Sequence, residues 1–160
     1  MLGRDYVGQE CSIARTLEVV GERWTLLVLR EALAGTSRFD DFQKQLGIAR
    51  NVLQTRLERL VEEELLSRRI YHDRPPRYEY LLTEAGRDLT PVLVALMRWG
   101  DQHRAPDGPP TAITHAGCGG DVTADLMCAC CGASLQTPQL VVGDGPGSAA
   151  RAPLGTQAAV

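Results

Sequence analysis

The sequence lacks a long hydrophobic run and a secretory leader. No stretch approaches the ~18 consecutive apolar residues of a membrane-spanning helix, and Arg4, Asp5 and Glu10 make the N-terminus polar. With 44% hydrophobic and 23% charged residues, the composition is that of an ordinary globular chain. We therefore expect a cytosolic protein without membrane contacts.

The sequence also lacks the motifs that mark common classes of enzyme. It contains no phosphate-binding glycine loop, no recognisable Ser/His/Asp set and only 3 histidines. Its 160 residues correspond to about one domain and are too few for a barrel of eight strand–helix units, which needs about 250. We therefore expect no enzyme; a thiol-dependent reductase using Cys128 and Cys131 is the remaining enzymatic alternative.

An excess of positive charge is absent as well, but the charge is unevenly distributed. The net charge of −3 arises entirely after residue 105, where Arg151 stands against four aspartates. Residues 1–105 hold 16 basic and 16 acidic side chains, so their net charge is zero. The acidity of the whole chain therefore does not argue against a nucleic-acid partner.

Composition divides the chain into five segments. Periodic apolar residues are typical of the globular segment. Pro and Gly indicate a linker, and small residues dominate the C-terminus. The segments are a flexible N-terminus at 1–10, a globular domain at 11–104, the linker at 105–114, a cysteine-bearing module at 115–142 and a disordered tail at 143–160.

Four helices are predicted in the first part of the globular domain. Apolar residues recur there at helical spacing, and Gly21, Gly35 and Gly47 stand at helix ends. We expect Ser37 to cap the short third helix. The helices are a first one bearing Ile13 and Leu17 and ending near Gly21, a second at 24–34, a third bearing Phe39, Phe42 and Leu46, and a longer fourth at 49–63.

A hairpin and a last helix follow. Residues 65–72 and 77–82 have strand character, and the sequence Asp73-Arg74-Pro75-Pro76 between them is typical of a turn. Thr83 is a plausible N-cap for a final helix, which Pro91 is expected to kink. The fold class is therefore mainly α with a small β-hairpin, in the order of a winged helix-turn-helix.

Two features of this arrangement favour binding to double-stranded DNA. The fourth helix carries polar residues at the end that enters the major groove in helix-turn-helix proteins, and residues 65–78 have a net charge of +3. Taken alone, the polar helix end could also be an ordinary solvated helix face. The basic hairpin, taken alone, could be an edge strand whose arginines protect it from aggregation. The predicted DNA-binding residues are Lys44, Arg50, Asn51, Gln54, Thr55, Arg68, Arg74 and Arg77.

Several segments resemble the HxlR-type transcriptional regulators, which are similar to the MarR group. The resemblance covers roughly residues 11–103 and is carried by six motifs. One departure is Ala49, where many members have a Ser helix cap. The motifs are Cys11–Leu17, Gly21–Leu27, Arg38–Phe42, Asn51–Leu57, Arg74–Tyr80 and Leu82–Gly86.

The resemblance implies a homodimeric repressor that binds a pseudo-palindromic operator. In such proteins the first and last helices form the dimer interface. Carried over to this sequence, the interface candidates are Ile13, Leu17, Val20, Leu89, Val92, Leu96 and Trp99.

Cys11 is a candidate redox sensor. It stands at the start of the first predicted helix, where the partial positive charge of the helix end favours a reactive thiolate. Several members of the family sense oxidants or electrophiles with a cysteine at this position. The alternative is a small, partly buried residue without a sensing role.

The cysteine-bearing module contains two short motifs with the spacing of zinc ligands. His115 and Cys118 are three residues apart, as are Cys128 and Cys131, and a glycine follows each pair. Two such turns can complete a tetrahedral zinc site resembling a small zinc ribbon, with Cys130 as a spare thiol. The alternatives are a degenerate remnant and a redox cysteine cluster. A zinc-ribbon protein-interaction module on a winged-helix scaffold is accordingly the alternative function.

Overall fold

A computed structural model describes Tyr6 and residues 11–134 of the chain. Its elements follow the predicted order of helices, hairpin and helix, which confirms a mainly helical winged helix-turn-helix fold. Among the described residues, no helix has both the length and the hydropathy needed to cross a bilayer. The elements are α1 Ser12–Val20, α2 Thr25–Leu33, α3 Phe39–Leu46, α4 Arg50–Glu62, β1 Leu66–Asp73, β2 Pro76–Leu82, α5 Glu84–Asp88 and α6 Thr90–Arg104.

The core lies between α2, α3, α4 and the base of the hairpin. Phe42 of α3 is fully buried and packs in one cluster with apolar side chains of α2 and α4. On α4 the buried positions are Leu53, Leu57 and Leu60, whose spacing is that of one helix face. The opposite face of α4 is thereby turned to solvent along the length of the helix.

The hairpin is joined to the helix-turn-helix unit through backbone contacts. β1 and β2 pair antiparallel, and the register shifts between Ile70 and His72, so that Tyr71 falls at an irregularity of the ladder. On its other side β2 receives the chain just before α3: Arg38 forms a bridge with Glu79. These contacts fix the base of the hairpin beside the start of α3. The whole hairpin, formed by β1 and β2, is hereafter called the wing.

Two local expectations are wrong. Ser37 does not cap α3, because the N-cap is Arg38 and the Ser37 carbonyl instead accepts a bond from the Tyr80 N–H at 2.7 Å. Pro91 does not kink a single last helix, because α5 ends at Asp88 and a separate helix begins at Thr90. Pro91 lies in the first turn of α6, where its missing N–H leaves no helical hydrogen bond unmade.

Thr83 caps α5 as expected and also ties the last helices to the rest of the domain. Its Oγ1 accepts a bond from the Gly86 N–H at 3.1 Å and donates to the Glu64 carbonyl at 2.6 Å. One hydroxyl therefore satisfies the start of α5 and the turn that follows α4.

The region after α6 contains turns and isolated bridges without a helix or a ladder as far as Ser134. The chain divides into two compact units, one ending at Ala124 and one beginning at Asp125. This division falls between the two cysteine-bearing motifs instead of before the first. Apart from Tyr6, the predicted flexible N-terminus at 1–10 lies outside the described residues, as do 135–142 of the predicted module and the tail at 143–160.

Candidate nucleic-acid interface

The N-terminal end of α4 presents a polar surface. Arg50, Asn51, Gln54 and Thr55 are all exposed, as expected from their placement opposite the buried leucines. The N-cap Ala49 makes no side-chain hydrogen bond to the first turn. The N–H groups that begin the helix therefore have no acceptor from the cap residue, and the positive end of the helix dipole points outward beside Arg50.

Hydrogen bonds within α4 engage part of this polar surface. The Gln54 Nε2 donates to the Glu58 carboxylate at 2.9 Å, which leaves the Gln54 amide oxygen free to accept. The Thr55 hydroxyl donates to the Asn51 carbonyl at 3.0 Å. Gln54 is thus held along the helix surface by a neighbour one turn away, while the Asn51 side chain is exposed in the first turn.

A groove lies between the start of α3, the outer side of α4 and the wing. It brings together four of the residues predicted from the sequence, namely Arg50, Gln54, Arg68 and Arg77. The other predicted residues are exposed but do not line this groove: Lys44 in the last turn of α3, Asn51 and Thr55 on α4, and Arg74 at the tip of the wing.

Aromatic rings hold three arginines at this groove. The Arg50 guanidinium lies 4.7 Å from the centroid of the Phe39 ring, and the Arg68 guanidinium 4.5 Å from that of Tyr78. Contacts of this kind fix the direction of a guanidinium without neutralising it.

The third of these arginines is Arg38, which sequence reasoning missed. Its guanidinium lies 4.7 Å from the centroid of the Tyr71 ring, and it lines the groove. A basic residue directly before the first helix of a helix-turn-helix unit, together with aromatic residues in the hairpin, is the signal that could have identified it.

The groove is not uniformly basic. Asp40, Asp41 and Glu58 also line it, and the Asp40 carboxylate lies 3.6 Å from the Arg50 guanidinium. On the wing, the Arg69 Nε donates to the Glu79 carboxylate at 2.7 Å, so this pair carries no net charge. Within residues 11–134, no ion pair occupies the three other wing arginines. They are Arg68, Arg74 and Arg77.

A second, apolar surface lies on α1 and α6. Ile13 is 73% exposed and Trp99 is 55% exposed, although both are large apolar side chains. Such side chains at helical spacing on two helices are typical of a surface that a partner covers. Their companions, also exposed, are Leu17, Val92 and Leu96.

Two of the predicted interface residues do not belong to this surface. Val20 is 4% exposed and packs in the core of its own chain, so it is not available to a partner. Leu89 is half-buried against the same core at the junction of α5 and α6. Burial within the chain accounts for the apolar character of both positions.

Cys11 is the N-cap of α1. It has extended backbone geometry, and its Sγ accepts a hydrogen bond from the Ala14 N–H at 3.3 Å. The thiol is half-buried and forms no disulfide. The N-cap acceptor of a helix is normally a side-chain oxygen, but here it is the Cys11 sulfur. Oxidation or alkylation of this sulfur would therefore act directly on the start of α1.

The predicted metal ligands lie in two exposed turns. The His115 Nδ1 is 3.2 Å from the Cys118 Sγ. In the other turn, the Cys131 and Cys130 N–H groups donate to the Cys128 sulfur and hold the pKa of that thiol below its usual value. Within Tyr6 and residues 11–134, no three His, Cys, Asp or Glu side chains form a metal-binding group. Zinc binding therefore stays a prediction.

Three comparisons place the chain among known proteins. The profile of the HxlR-like helix-turn-helix family matches residues 19–107. The uncharacterized HTH-type transcriptional regulator Rv3095 of Mycobacterium tuberculosis is 46% identical over 141 residues, which cover 88% of this chain and 89% of that protein. Because only 114 residues precede His115, this similarity extends into the cysteine-bearing tail.

Solved structures show the same relationship. The crystal structure of PA1607, a candidate transcription factor, is 34% identical with a TM-score of 0.77, covering 86% of this chain and 97% of that one. The redox regulator HypR in its oxidized form is 33% identical with a TM-score of 0.54, covering 59% of this chain and 98% of that one. The fold, the helix-turn-helix unit and these matches together establish that the chain belongs to the HxlR-like helix-turn-helix family of transcriptional regulators.

Proposed function

We propose that the protein is a homodimeric repressor that binds a pseudo-palindromic operator and is released by oxidation of Cys11. The observation that carries DNA binding is the exposed polar start of α4 beside a wing from which Arg68 and Arg77 line the same groove. Family membership supports this assignment, since helix-turn-helix regulators place the second helix of the unit in the major groove.

The exposed surface of α4 and the wing supply different contacts. At α4, the free Gln54 amide oxygen and the exposed Asn51 amide are suited to an adenine edge, which offers both a donor and an acceptor. The Gln54 Nε2 carries two N–H donors, so one can donate to the base while the other stays bonded to Glu58. On the wing, Arg74 and Arg77 carry uncompensated charge that suits phosphate oxygens.

Selection from a library of random duplexes tests DNA binding directly. We expect enrichment of an inverted repeat whose half-sites are centred about 34–36 Å apart, one turn of the double helix. The affinity should fall as salt concentration rises, because bound phosphates release counterions. Binding that enriches no sequence and does not depend on salt contradicts the proposal, and would favour a winged domain used for protein contacts.

The dimer is proposed from the exposed apolar surface of α1 and α6. A second copy covering Ile13, Leu96 and Trp99 would remove these side chains from water, which is worth roughly 1.5–3 kcal/mol for each fully buried one. A two-fold interface uses the same surface on both copies. It would also set the distance between the two α4 helices that the half-sites require.

The variant Leu96→Asp tests this surface. Because each change occurs twice in a dimer, we expect it to weaken association by roughly 3–6 kcal/mol and to yield monomers in sedimentation experiments. Arg98→Asp introduces the same charge outside the apolar stripe of α6 and should leave the dimer intact. A wild-type chain that is monomeric at the concentrations used for DNA binding contradicts the proposal.

Oxidation of Cys11 is proposed as the releasing signal, with hydrogen peroxide as oxidant. The Cys11 thiolate attacks one peroxide oxygen, an S–O bond forms as the O–O bond breaks, and the departing hydroxide takes a proton to become water. The resulting sulfenic acid replaces the sulfur that accepts the Ala14 N–H. The start of α1 then shifts beside the dimer surface, and the two α4 helices lose the operator spacing. The likeness to HypR, a redox regulator, supports this assignment.

Peroxide treatment of operator-bound protein tests the sensor. We expect wild-type protein to release DNA on oxidation and to bind again after reduction, whereas Cys11→Ser protein stays bound. Cys130→Ser is the matched control and should respond like the wild type, because its thiol lies in the tail. Release of DNA from the oxidised Cys11→Ser protein would transfer the role to the tail cysteines.

A further inference from the structure

The first cysteine-bearing turn is closed by a specific set of backbone hydrogen bonds. The His115 N–H donates to the Gly120 carbonyl at 2.8 Å, and the Gly119 N–H donates back to the His115 carbonyl at 2.7 Å. An antiparallel bridge between Thr114 and Asp121 flanks the turn. The backbone therefore reverses direction over His115–Gly119 and brings the side chains at its first and fourth positions to one side.

The second turn repeats this pattern thirteen residues later along the chain. The Cys128 N–H donates to the Ala133 carbonyl at 2.9 Å, and the Gly132 N–H donates back to the Cys128 carbonyl at 2.8 Å. An antiparallel bridge between Met127 and Ser134 flanks it. Every backbone bond named for the first turn thus has a counterpart in the second.

The glycines of the two turns share a conformation that other residues rarely adopt. Gly119 has φ +73 and Gly132 has φ +70, both in the left-handed region. In each case the glycine directly follows the second candidate ligand. Two segments of different sequence therefore adopt the same backbone conformation. This shared conformation is a more specific indication of a ligand-binding turn than the spacing of the candidate ligands alone.

The side chains of each turn suit a zinc ion. Zn–N and Zn–S bonds of about 2.1 and 2.3 Å at a tetrahedral angle place the two ligand atoms about 3.6 Å apart. The His115 Nδ1 and Cys118 Sγ are 3.2 Å apart, so a small relaxation admits the metal between them. In the other turn, Cys128 and Cys131 occupy the positions that His115 and Cys118 occupy in the first, within the same pattern of backbone hydrogen bonds.

The tail has little else to hold these turns. No residue between 105 and 134 is buried, in contrast to the cluster of buried apolar side chains in the winged domain. All five cysteines are free, so no disulfide closes either turn. Segments below about 40 residues generally need a disulfide, a metal or a partner to keep one structure, and the ligands present here are those of a metal.

We propose that the two turns are zinc knuckles, each supplying two ligands to a Zn²⁺ ion. The ligands are His115 and Cys118 in the first turn and Cys128 and Cys131 in the second. Cys130 is not a ligand, because its position in the repeat corresponds to Gly117 of the first turn. Thiolate sulfur and imidazole nitrogen are donors that zinc prefers. Each ligating thiol gives up its proton to solvent when the metal binds.

Metal analysis of the untagged full-length protein, purified under reducing conditions, tests the proposal. We expect bound zinc in the wild type and in Cys130→Ser, and less than about a tenth of the wild-type content in Cys131→Ser. Replacement of zinc by Co²⁺ should give the absorption of a tetrahedral thiolate site in the first two proteins only. The zinc content is measured without DNA, so a negative result would contradict the zinc proposal without bearing on the proposed DNA-binding function.

Alkylation of the wild type provides a second measurement that needs no variant. In the zinc-loaded protein Cys118, Cys128 and Cys131 should react slowly, and a chelator should make them react quickly, while the rate at Cys130 stays the same. Zinc absent from reduced protein even after zinc is supplied would overturn the proposal. Equal zinc retention in Cys130→Ser and Cys131→Ser would overturn the ligand assignment.

Discussion

The start of α4 and the wing face the same groove but are held in place differently. Leu53 and Leu57 are fully buried behind the outer face of α4, so the helix is fixed by the core. Beyond Leu66, no side chain of β1 is buried, and the wing depends on its base and on side-chain contacts. A rigid helix can hold donors and acceptors at the positions that distinguish one base pair from another. A less constrained hairpin can still contribute positive charge, which does not need exact placement. We therefore assign sequence reading to α4 and general affinity to the wing.

Of the effects that test this contrast between α4 and the wing, the largest is expected at α4. Gln54→Ala or Asn51→Ala should cost about 1–3 kcal/mol on the selected operator, roughly 5- to 150-fold in affinity, because an adenine edge loses its partner. Binding to random duplexes should change little. Titration of both DNAs with each variant measures the difference. If specific and random DNA lose affinity equally, the assignment of base reading to these residues is wrong and the contrast with the wing disappears.

On the wing, the expected effect is on salt dependence. Arg74→Ala and Arg77→Ala should weaken binding to all duplexes alike, and each should reduce the slope of log K against log salt by about one unit for every phosphate that the arginine no longer neutralises. Arg69→Ala is the matched control, because Glu79 already neutralises that arginine. Unchanged slopes in the first two variants, or an equal change in Arg69→Ala, would remove the wing from the DNA-binding surface.

Sequence periodicity was sufficient for the parts of the fold that the core dictates. The leucines of α4 and the Thr83 cap could be predicted because both depend on residues a few positions apart. The start of α3 could not, because the Ser37 carbonyl is taken by Tyr80, more than forty positions away in the sequence. Pairing between distant segments has no local signal.

The same distinction applies to the candidate sites. The polar end of α4 follows from the position of its buried leucines, so its exposed residues could be named in advance. Arg38 was missed, because a basic residue directly before α3 indicates the groove only in combination with the tyrosine that the hairpin brings to it. Val20 was predicted at the dimer interface but lies in the core of its own chain. An apolar stripe in the sequence does not distinguish these two kinds of burial. The candidate zinc ligands were named from spacing, while the repeated backbone pattern around them became visible only in the folded turns.

The smallest expected effect concerns the rings that direct the arginines, and it sharpens the contrast between helix and wing. Tyr71→Leu removes the ring beneath Arg38, and we expect DNA binding to weaken by about 0.5–1 kcal/mol on specific and random duplexes alike. Tyr71→Phe keeps the ring and should bind like the wild type.

A double-mutant cycle isolates this interaction from other effects of the substitution. In an Arg38→Ala background, Tyr71→Leu should have no further effect, because the guanidinium that the ring orients is already gone. If Tyr71→Phe loses as much affinity as Tyr71→Leu, the hydroxyl and not the ring makes the contribution. If Tyr71→Leu costs the same with and without Arg38, the ring acts elsewhere, and the wing would then contribute to the groove by its shape as well as by its charge.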